Sequence, residues 1–375
     1  MSAIGCDVAI VGAGIVGAAC AYECARRGLK VIVVDGEMIA AGATAAGMGH
    51  IVVMDNSEAQ FAITRYSQRL WQELRPELPD DVEYDQCGTI WVADDEEEIE
   101  EVHRKQRLYA ERGVPTEVLD ARELRDLEPN LREGLVGGLL VPEDGVLYAP
   151  CAARFLMERA QRHGANVRVG CPVTRLEEGL VALGGSQIRA DILVNAAGTS
   201  APELTPGLPI KKRKGHLVIT DRYPGFARHQ LVELGYLKSA HTLTADSVAF
   251  NVQPRRTGQL LIGSSRQYGA EHSEVDHHML LPMLRRAQQY MPGLGQMLMV
   301  RAWTGFRAAT PDKLPLIGPW PPDKSVWLAT GHEGLGITTS LGTGRILADC
   351  LTGVKPEIDI EPYLPSRTAR EQVHA

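Results

Sequence analysis

No run of apolar residues in this 375-residue chain approaches the ~18 needed to span a bilayer. The N-terminus carries no basic leader and enters an apolar strand pattern almost at once, so a secretory signal is not expected. The seven cysteines, at 6, 20, 24, 87, 151, 171 and 350, form no CxxC pair. An odd number without motif spacing suits reduced thiols better than a disulfide framework. Cys20 and Cys24 can share a helix face, but zinc needs further ligands and none lies nearby, so no metal site is expected. Positive charge is in deficit: the net charge is −8, which argues against non-specific nucleic-acid binding. Internal repeats and low-complexity tracts are missing too. These absences lead to the expectation of a soluble cytoplasmic protein without a membrane span.

What is present is an ordinary globular balance, 44% hydrophobic and 23% charged. The length suits about two to three domain-sized units. Glycine is plentiful at 38 residues, and it clusters. Val8–Val11 reads as a short buried strand running into Gly12-Ala13-Gly14-Ile15-Val16-Gly17. A helical run follows and closes at Gly28, then a second apolar strand, Lys30–Val34, ends on Asp35. Each piece has a mechanical purpose in dinucleotide binding. Gly12 permits the tight turn, Gly14 lets backbone approach a pyrophosphate, and Gly17 lets the helix pack close to the sheet. The helix N-terminus offers unpaired N–H groups to phosphate. Asp35, eighteen residues beyond Gly17, is placed to accept from ribose hydroxyls and would repel a 2′-phosphate. The small-residue loop Ala40–Gly49 comes next. A free nicotinamide enzyme has no need of this second wrap, whereas a buried flavin does.

Three further segments carry small residues at strand ends or close turns. They are Asp191–Gly198, Trp303–Gly318, and the strand Ser325–Thr330 leading through Gly331-His332-Glu333-Gly334-Leu335-Gly336 into a helix over Ile337–Leu351. With these motifs in hand, the chain resembles the FAD-dependent amine oxidoreductases of the D-amino-acid oxidase, glycine oxidase and sarcosine oxidase group. The resemblance rests on the N-terminal GxGxxG, Ala45-Ala46-Gly47-Met48, Asn195–Gly198, Gly305-Phe306-Arg307 through Gly318, and the Gly331–Gly336 turn, and it covers essentially the whole chain. The Gly47-Met48-Gly49-His50 loop and the length look most like bacterial D-hydroxyproline dehydrogenase and hydrogen cyanide synthase subunits. Ala308 departs from the pattern, because proline usually follows the arginine; this would loosen a local turn. Asp35 replaces the commoner glutamate.

The resemblance implies an α/β fold: a discontinuous Rossmann-type FAD-binding domain over 1–80, 140–210 and 300–375, and an α+β substrate domain on a mixed sheet over 81–139 and 211–299. It implies FAD contacts from Gly12, Gly14, Ile15, Val16, Gly17, Asp35, Gly36, Thr44, Ala46, Gly47, Met48, Val173, Ala197, Gly198, Arg307, Gly331, His332, Gly334, Leu335, Gly336 and Ile337. Arg307 takes the position of the substrate-carboxylate clamp, since a planar guanidinium grips a carboxylate with two parallel bonds; the plainer reading is an edge salt bridge. Met48 is either a pocket residue or a gap-filling core side chain. His50 either reaches a substrate hydroxyl or caps its loop. Phe250, Asn251 and Tyr236 are pocket candidates. His332 is given no acid–base role. The expected reaction removes a hydride from the carbon bearing the amine of a small amino or imino acid, such as D-hydroxyproline or D-proline, and leaves an imine. The alternative expectations are a catalytic or electron-relay subunit of a heteromeric complex that needs partner chains, or a glycine- or sarcosine-type oxidase using oxygen. The basic run Lys211–Lys214 reads as a solvated loop rather than a dock for an acidic partner, and Asp94–Glu98 as the acidic start of a polar helix.

Overall fold

A computed structural model describes residues 4–235 and 246–371. Two large sheets organise the described residues. The apolar runs Ile4–Val11 and Val31–Val34 pair in parallel, and Ile4–Val11 also pairs in parallel with Ser186–Asn195. The full order of this eight-stranded sheet is Leu316–Trp320, Asp323–Thr330, Ser186–Asn195, Ile4–Val11, Val31–Val34, Asn166–Arg168, with the hairpin Val173–Glu177 and Leu180–Leu183 beside Ser186–Asn195. Helix Ile15–Arg26 packs against helices Gly336–Leu351 and Ala149–Arg162. Its Ala18, Ala19, Cys20 and Ala21 are fully buried. Small residues allow that closeness: a Cβ on Gly344 would stand 2.6 Å from the Ala19 carbonyl oxygen.

The second sheet has nine strands in the order His332–Glu333, Met299–Ala309, Lys211–Thr220, Leu260–Arg266, Ser247–Pro254, Gln230–Glu233, Thr89–Ala93, Gly137–Val141, Glu117–Asp120. Only the Gln230–Glu233/Thr89–Ala93 pair is parallel. The sheet is therefore mixed. Helix His277–Tyr290 packs on Ser247–Pro254 and Leu260–Arg266, where Phe250 stacks on Tyr290 with centroids 4.5 Å apart. By strand pairing, 137–141 and 299–309 go with this sheet. The joins read from sequence at 140 and 300 thus fall inside strands.

The basic run is a correction. Lys211–Thr220 is an inner strand, not a solvated loop. Alternation in a sheet covered on both faces buries Arg213 (4% exposed) and Lys214 (0%) on opposite sides. Arg213 pairs with Glu333, while the Lys214 ammonium donates to Asp276 at 2.7 Å and to the Glu274 carbonyl at 2.5 Å. Arg213 and Lys214 are thus occupied inside the protein, while Lys211 is exposed. The acidic run does open a helix, Glu96–Glu111, capped by Asp95 accepting from the Glu98 N–H.

Candidate active site

The carboxyl ends of four parallel strands, Val11, Val34, Asn195 and Thr330, all open onto one cavity, where α/β sheets place ligands. Its volume is about 630 Å³, inside the range of roughly 300–1,000 Å³ usual for cofactor pockets. The nine-stranded sheet forms its opposite wall.

The nucleotide side is shaped by backbone. Gly12 has φ 115°, and a Cβ there would lie 2.4 Å from the Ala196 carbonyl oxygen, so only glycine makes this turn. Gly17 is the one expected cofactor contact that does not line the cavity. Its missing Cβ would stand 1.9 Å from the Gly12 carbonyl oxygen, which makes it a packing residue between turn and helix. Asp35 accepts from the Ala13 N–H at 2.6 Å and the Glu37 N–H at 2.8 Å, and it faces the cavity beside Gly36, Pro172 and Val173. Thr44, on the short helix Ala43–Ala46 of the small-residue loop, accepts from the Ile15 N–H at 3.0 Å and closes the loop over the helix N-terminus. Buried Asn195 donates to the Ala201 carbonyl and Thr205 hydroxyl and accepts from the Ala197 N–H, which fixes the Ala196–Gly198 turn.

The remaining expected positions, Gly14, Val16, Ala46, Gly47, Met48, His50, Ala197, Gly198, Arg307, Gly331, His332, Gly334, Leu335, Gly336 and Ile337, all line the cavity. Arg307 extends from Met299–Ala309 across Gly215, where a Cβ would be 2.6 Å from Nη1, and donates to the Ser265 carbonyl at 3.0 Å. Ala308 lies in the same strand, opposite Lys212 on one side and Glu333 on the other, so it is strand rather than the loosened turn expected from sequence. Met48 serves both readings: it lines the cavity and packs with Leu217 and Leu261.

Burial sets the histidines. The His50 imidazole is pushed down to about 4 by desolvation, against a bond to the Gly334 backbone and with the Arg307 charge adding; its Nδ1 has no partner among the described residues. His332, also desolvated, is pushed to about 3 and bonds Thr343 at 3.0 Å. Both are neutral at neutral pH.

Asn251 lines the cavity; Phe250, adjacent to it, faces the opposite core, and Tyr236 lies outside the described residues. Sequence reasoning missed Arg213, Arg266, Gln230, Thr89 and Trp91, which also line the wall. Strand alternation along Thr89–Ala93 puts Thr89 and Trp91 on one face and was a usable signal. Gln230 offered none, because its four-residue strand has no flanking pattern.

This architecture defines a two-lobed α/β nucleotide-binding protein, with a backbone-lined turn facing a side-chain-lined sheet. A model of the family "FAD dependent oxidoreductase" (DAO) matches residues 7–350, and the chain belongs to that family. Glycine oxidase of Geobacillus kaustophilus is 26% identical over 373 residues, covering 96% of this chain and 97% of the relative. The crystal structure of glycine oxidase from Geobacillus kaustophilus matches with a TM-score of 0.87 over 97% of this chain and 99% of that one. Hydrogen cyanide synthase subunit HcnC of Pseudomonas aeruginosa is 27% identical over 421 residues, 96% of each chain. The cofactor is FAD and the protein is an oxidoreductase. The residues present fit that group: the strand ends and glycine turns enclose a cavity of about 630 Å³ lined by Asp35 and by Arg307, and the buried His50 Nδ1 in its wall has no partner among the described residues.

Proposed function

We propose that this protein dehydrogenates a small amino or imino acid, with D-hydroxyproline and D-proline as the substrates to try first. The D configuration follows the resemblance to the D-amino-acid oxidase group. One observation carries the reading: a guanidinium, Arg307, held by the Ser265 carbonyl on the sheet that faces the nucleotide-binding turns, at a position suited to a substrate carboxylate.

On this reading Gly12, Gly14, Ile15, Val16, Asp35, Gly36, Thr44 and Val173 hold the nucleotide portion of FAD, and the Ala46–Met48, Ala197–Gly198 and Gly331–Ile337 segments enclose the rest. Bound FAD supplies the hydride acceptor. Arg307 grips the carboxylate bidentately and fixes the reacting carbon; a displacement of about 1 Å would cost ~100-fold. His50, neutral, accepts from the substrate N–H through its free Nδ1 and orients the amine. The hydrogen of the reacting carbon would leave as hydride with the C–H electron pair, the nitrogen lone pair would form the C=N bond, and the nitrogen proton would pass to solvent. No protein base is required if the amine enters neutral. Met48 packs beneath the reacting group and excludes water.

The experiment is anaerobic mixing of the FAD-loaded protein with D-hydroxyproline, D-proline, glycine and sarcosine. Bleaching of the flavin band is expected with at least one. A spectrum that stays oxidised with all of them contradicts the reading.

A second reading is favoured by a relative being named a subunit: this chain works within a heteromeric complex and hands its electrons to a partner chain. Rapid reoxidation of the isolated protein by air would count against it. We place the protein in the cytoplasm, in keeping with seven free cysteines among the described residues and a reducing compartment.

A further inference from the structure

Arg307 is anchored at a break in strand pairing. Lys214 and Gln267 exchange both backbone hydrogen bonds, at 3.0 and 2.9 Å. In an antiparallel ladder the next such pair falls two residues on, at His216 and Ser265, where the His216 N–H would meet the Ser265 carbonyl. It does not. The His216 N–H donates instead to Ser265 Oγ at 2.8 Å, and the Ser265 carbonyl accepts from Arg307 Nη1 at 3.0 Å. The ladder resumes at Val218 and Ile262, so an extra residue is taken up between Ile262 and Gln267. Irregularities of this kind re-aim groups beside a site. Gly215, on the cavity face, leaves the guanidinium its seat, since a Cβ there would stand 2.6 Å from Nη1.

The serine hydroxyl is held in its place from behind. Ser264 and Arg266 line the cavity, and alternation turns the Ser265 side chain to the other face, where it meets the His216 ring. Ser265 is 1% exposed and His216 0%. The tautomer follows from the partners. A backbone N–H only donates, so the Asp276 N–H at 3.0 Å makes His216 Nε2 an acceptor and leaves the proton on Nδ1. Nδ1–H then donates to Ser265 Oγ at 2.9 Å. Burial pushes this imidazole down to about 4, with the Lys214 and Arg307 charges adding and Asp276 opposing, so it is neutral at neutral pH. Asp276 is in turn held by the Lys214 ammonium at 2.7 Å. The Ser265 hydroxyl thus accepts from both the backbone and the ring of His216, and the Ser265 carbonyl is left to the guanidinium.

We propose that Ser265 and His216 are positioning residues for the carboxylate clamp: the Ser265 hydroxyl stands in for its own carbonyl in the sheet and so frees that carbonyl to aim Arg307. This rests on the reading of Arg307 given above. Both residues act through the guanidinium and take no part in bond breaking.

The test titrates the FAD-loaded wild type and variants with benzoate and reads the shift of the flavin bands, alongside flavin content and melting temperature. In Ser265→Ala the His216 N–H has only the carbonyl to return to, and Arg307 loses its anchor. A hydrogen bond to a charged group is at stake, so benzoate should bind ~10-fold more weakly while flavin is retained. Ser265→Thr, which keeps the hydroxyl, should stay within about three-fold of the wild type. His216→Phe, which keeps a ring but no nitrogen, should weaken benzoate, and His216→Asn, which restores a donor near the Nδ1 position, should recover most of the loss. With a substrate that bleaches the flavin, Ser265→Ala should act mainly on KM, and in an Arg307→Ala background it should change kcat/KM by less than about two-fold.

Equal benzoate affinity in Ser265→Ala and the wild type overturns the proposal, and so does a lowered melting temperature with affinity unchanged, which marks a merely structural serine. An undiminished effect of Ser265→Ala on kcat/KM in the Arg307→Ala background overturns it as well. Should Ser265→Ala lose its flavin, the His216→Phe and His216→Asn pair decides: equal benzoate affinity in both and in the wild type is the contrary result. If benzoate leaves the wild-type flavin bands unmoved, the clamp reading itself fails and the positioning role falls with it. A wild-type response that Ser265→Ala matches spares the clamp and removes only the positioning role.

Discussion

At the nucleotide end the cavity wall is mostly main chain: the Gly12 turn, the helix start at Ile15 and the Asp35 carboxylate, tied to two backbone N–H groups. At the far end the wall is side chain, with Arg307, Arg213, Trp91, Gln230 and Asn251 projecting from five different strands. The first surface recognises what every dinucleotide shares and tolerates few replacements, because backbone clearance is at stake. The second is assembled from separate side chains on separate strands. On the proposed reading that contrast separates retention of the cofactor from choice of substrate, and variants at the two ends should fail in different ways.

The largest effect is expected at Gly12→Val. Positive φ and a Cβ at 2.4 Å from the Ala196 carbonyl oxygen leave no local escape, so the purified variant should be colourless, with no 450 nm band. A yellow variant would break the contrast at once. Next, Arg307→Ala should keep its flavin and lose roughly 3–5 kcal/mol of transition-state binding, ~10²–10⁴-fold in kcat/KM, from two charge-assisted bonds. Unchanged kinetics would remove Arg307 from the site. A smaller loss is expected for Asp35→Asn, which keeps the shape but not the charge: FAD affinity should weaken by about ten-fold, with kcat at saturating FAD unaltered. A fall in kcat would blur the division between the ends.

The smallest effect concerns stability. Burial pushes the Asp144 carboxyl up to about 7; it lies fully buried, accepting from the Val53 N–H at 3.2 Å and Gln68 Nε2 at 2.8 Å. Its native pKa exceeds the unfolded value near 3.8, so the native state binds the extra proton between these limits. Its contribution is therefore complete below pH ~4 and is lost as pH rises toward 7. Asp144→Asn cannot ionise. Thermal melts should show the wild type falling relative to this variant by ~2–4 °C between pH 4 and 8; a constant difference would contradict the assignment.

Legibility in the sequence follows the same division. Gly12 to Gly17, Asp35 and the Gly331–Gly336 turn each lie in a short contiguous segment whose local backbone shapes the cavity wall, so they were legible in the sequence, the last with the help of the resemblance. Asn251 and Phe250 were both candidates, and alternation requires that they face opposite sides; only the sheet pairing shows which side is the cavity. Arg213 was hidden inside a basic run that resembles a solvated loop, because its partner Glu333 is 120 residues away. Trp91, Gln230 and Asn251 are likewise assembled by long-range register that no local pattern encodes.

The central claim is a flavin between the two walls with Arg307 turned toward it. Titrating the FAD-loaded protein with a small carboxylate that cannot be oxidised, such as benzoate, tests this most directly. The account predicts a saturable perturbation of the flavin absorption bands that disappears in Arg307→Ala while flavin content is retained. A perturbation of equal size and affinity in both proteins would contradict it.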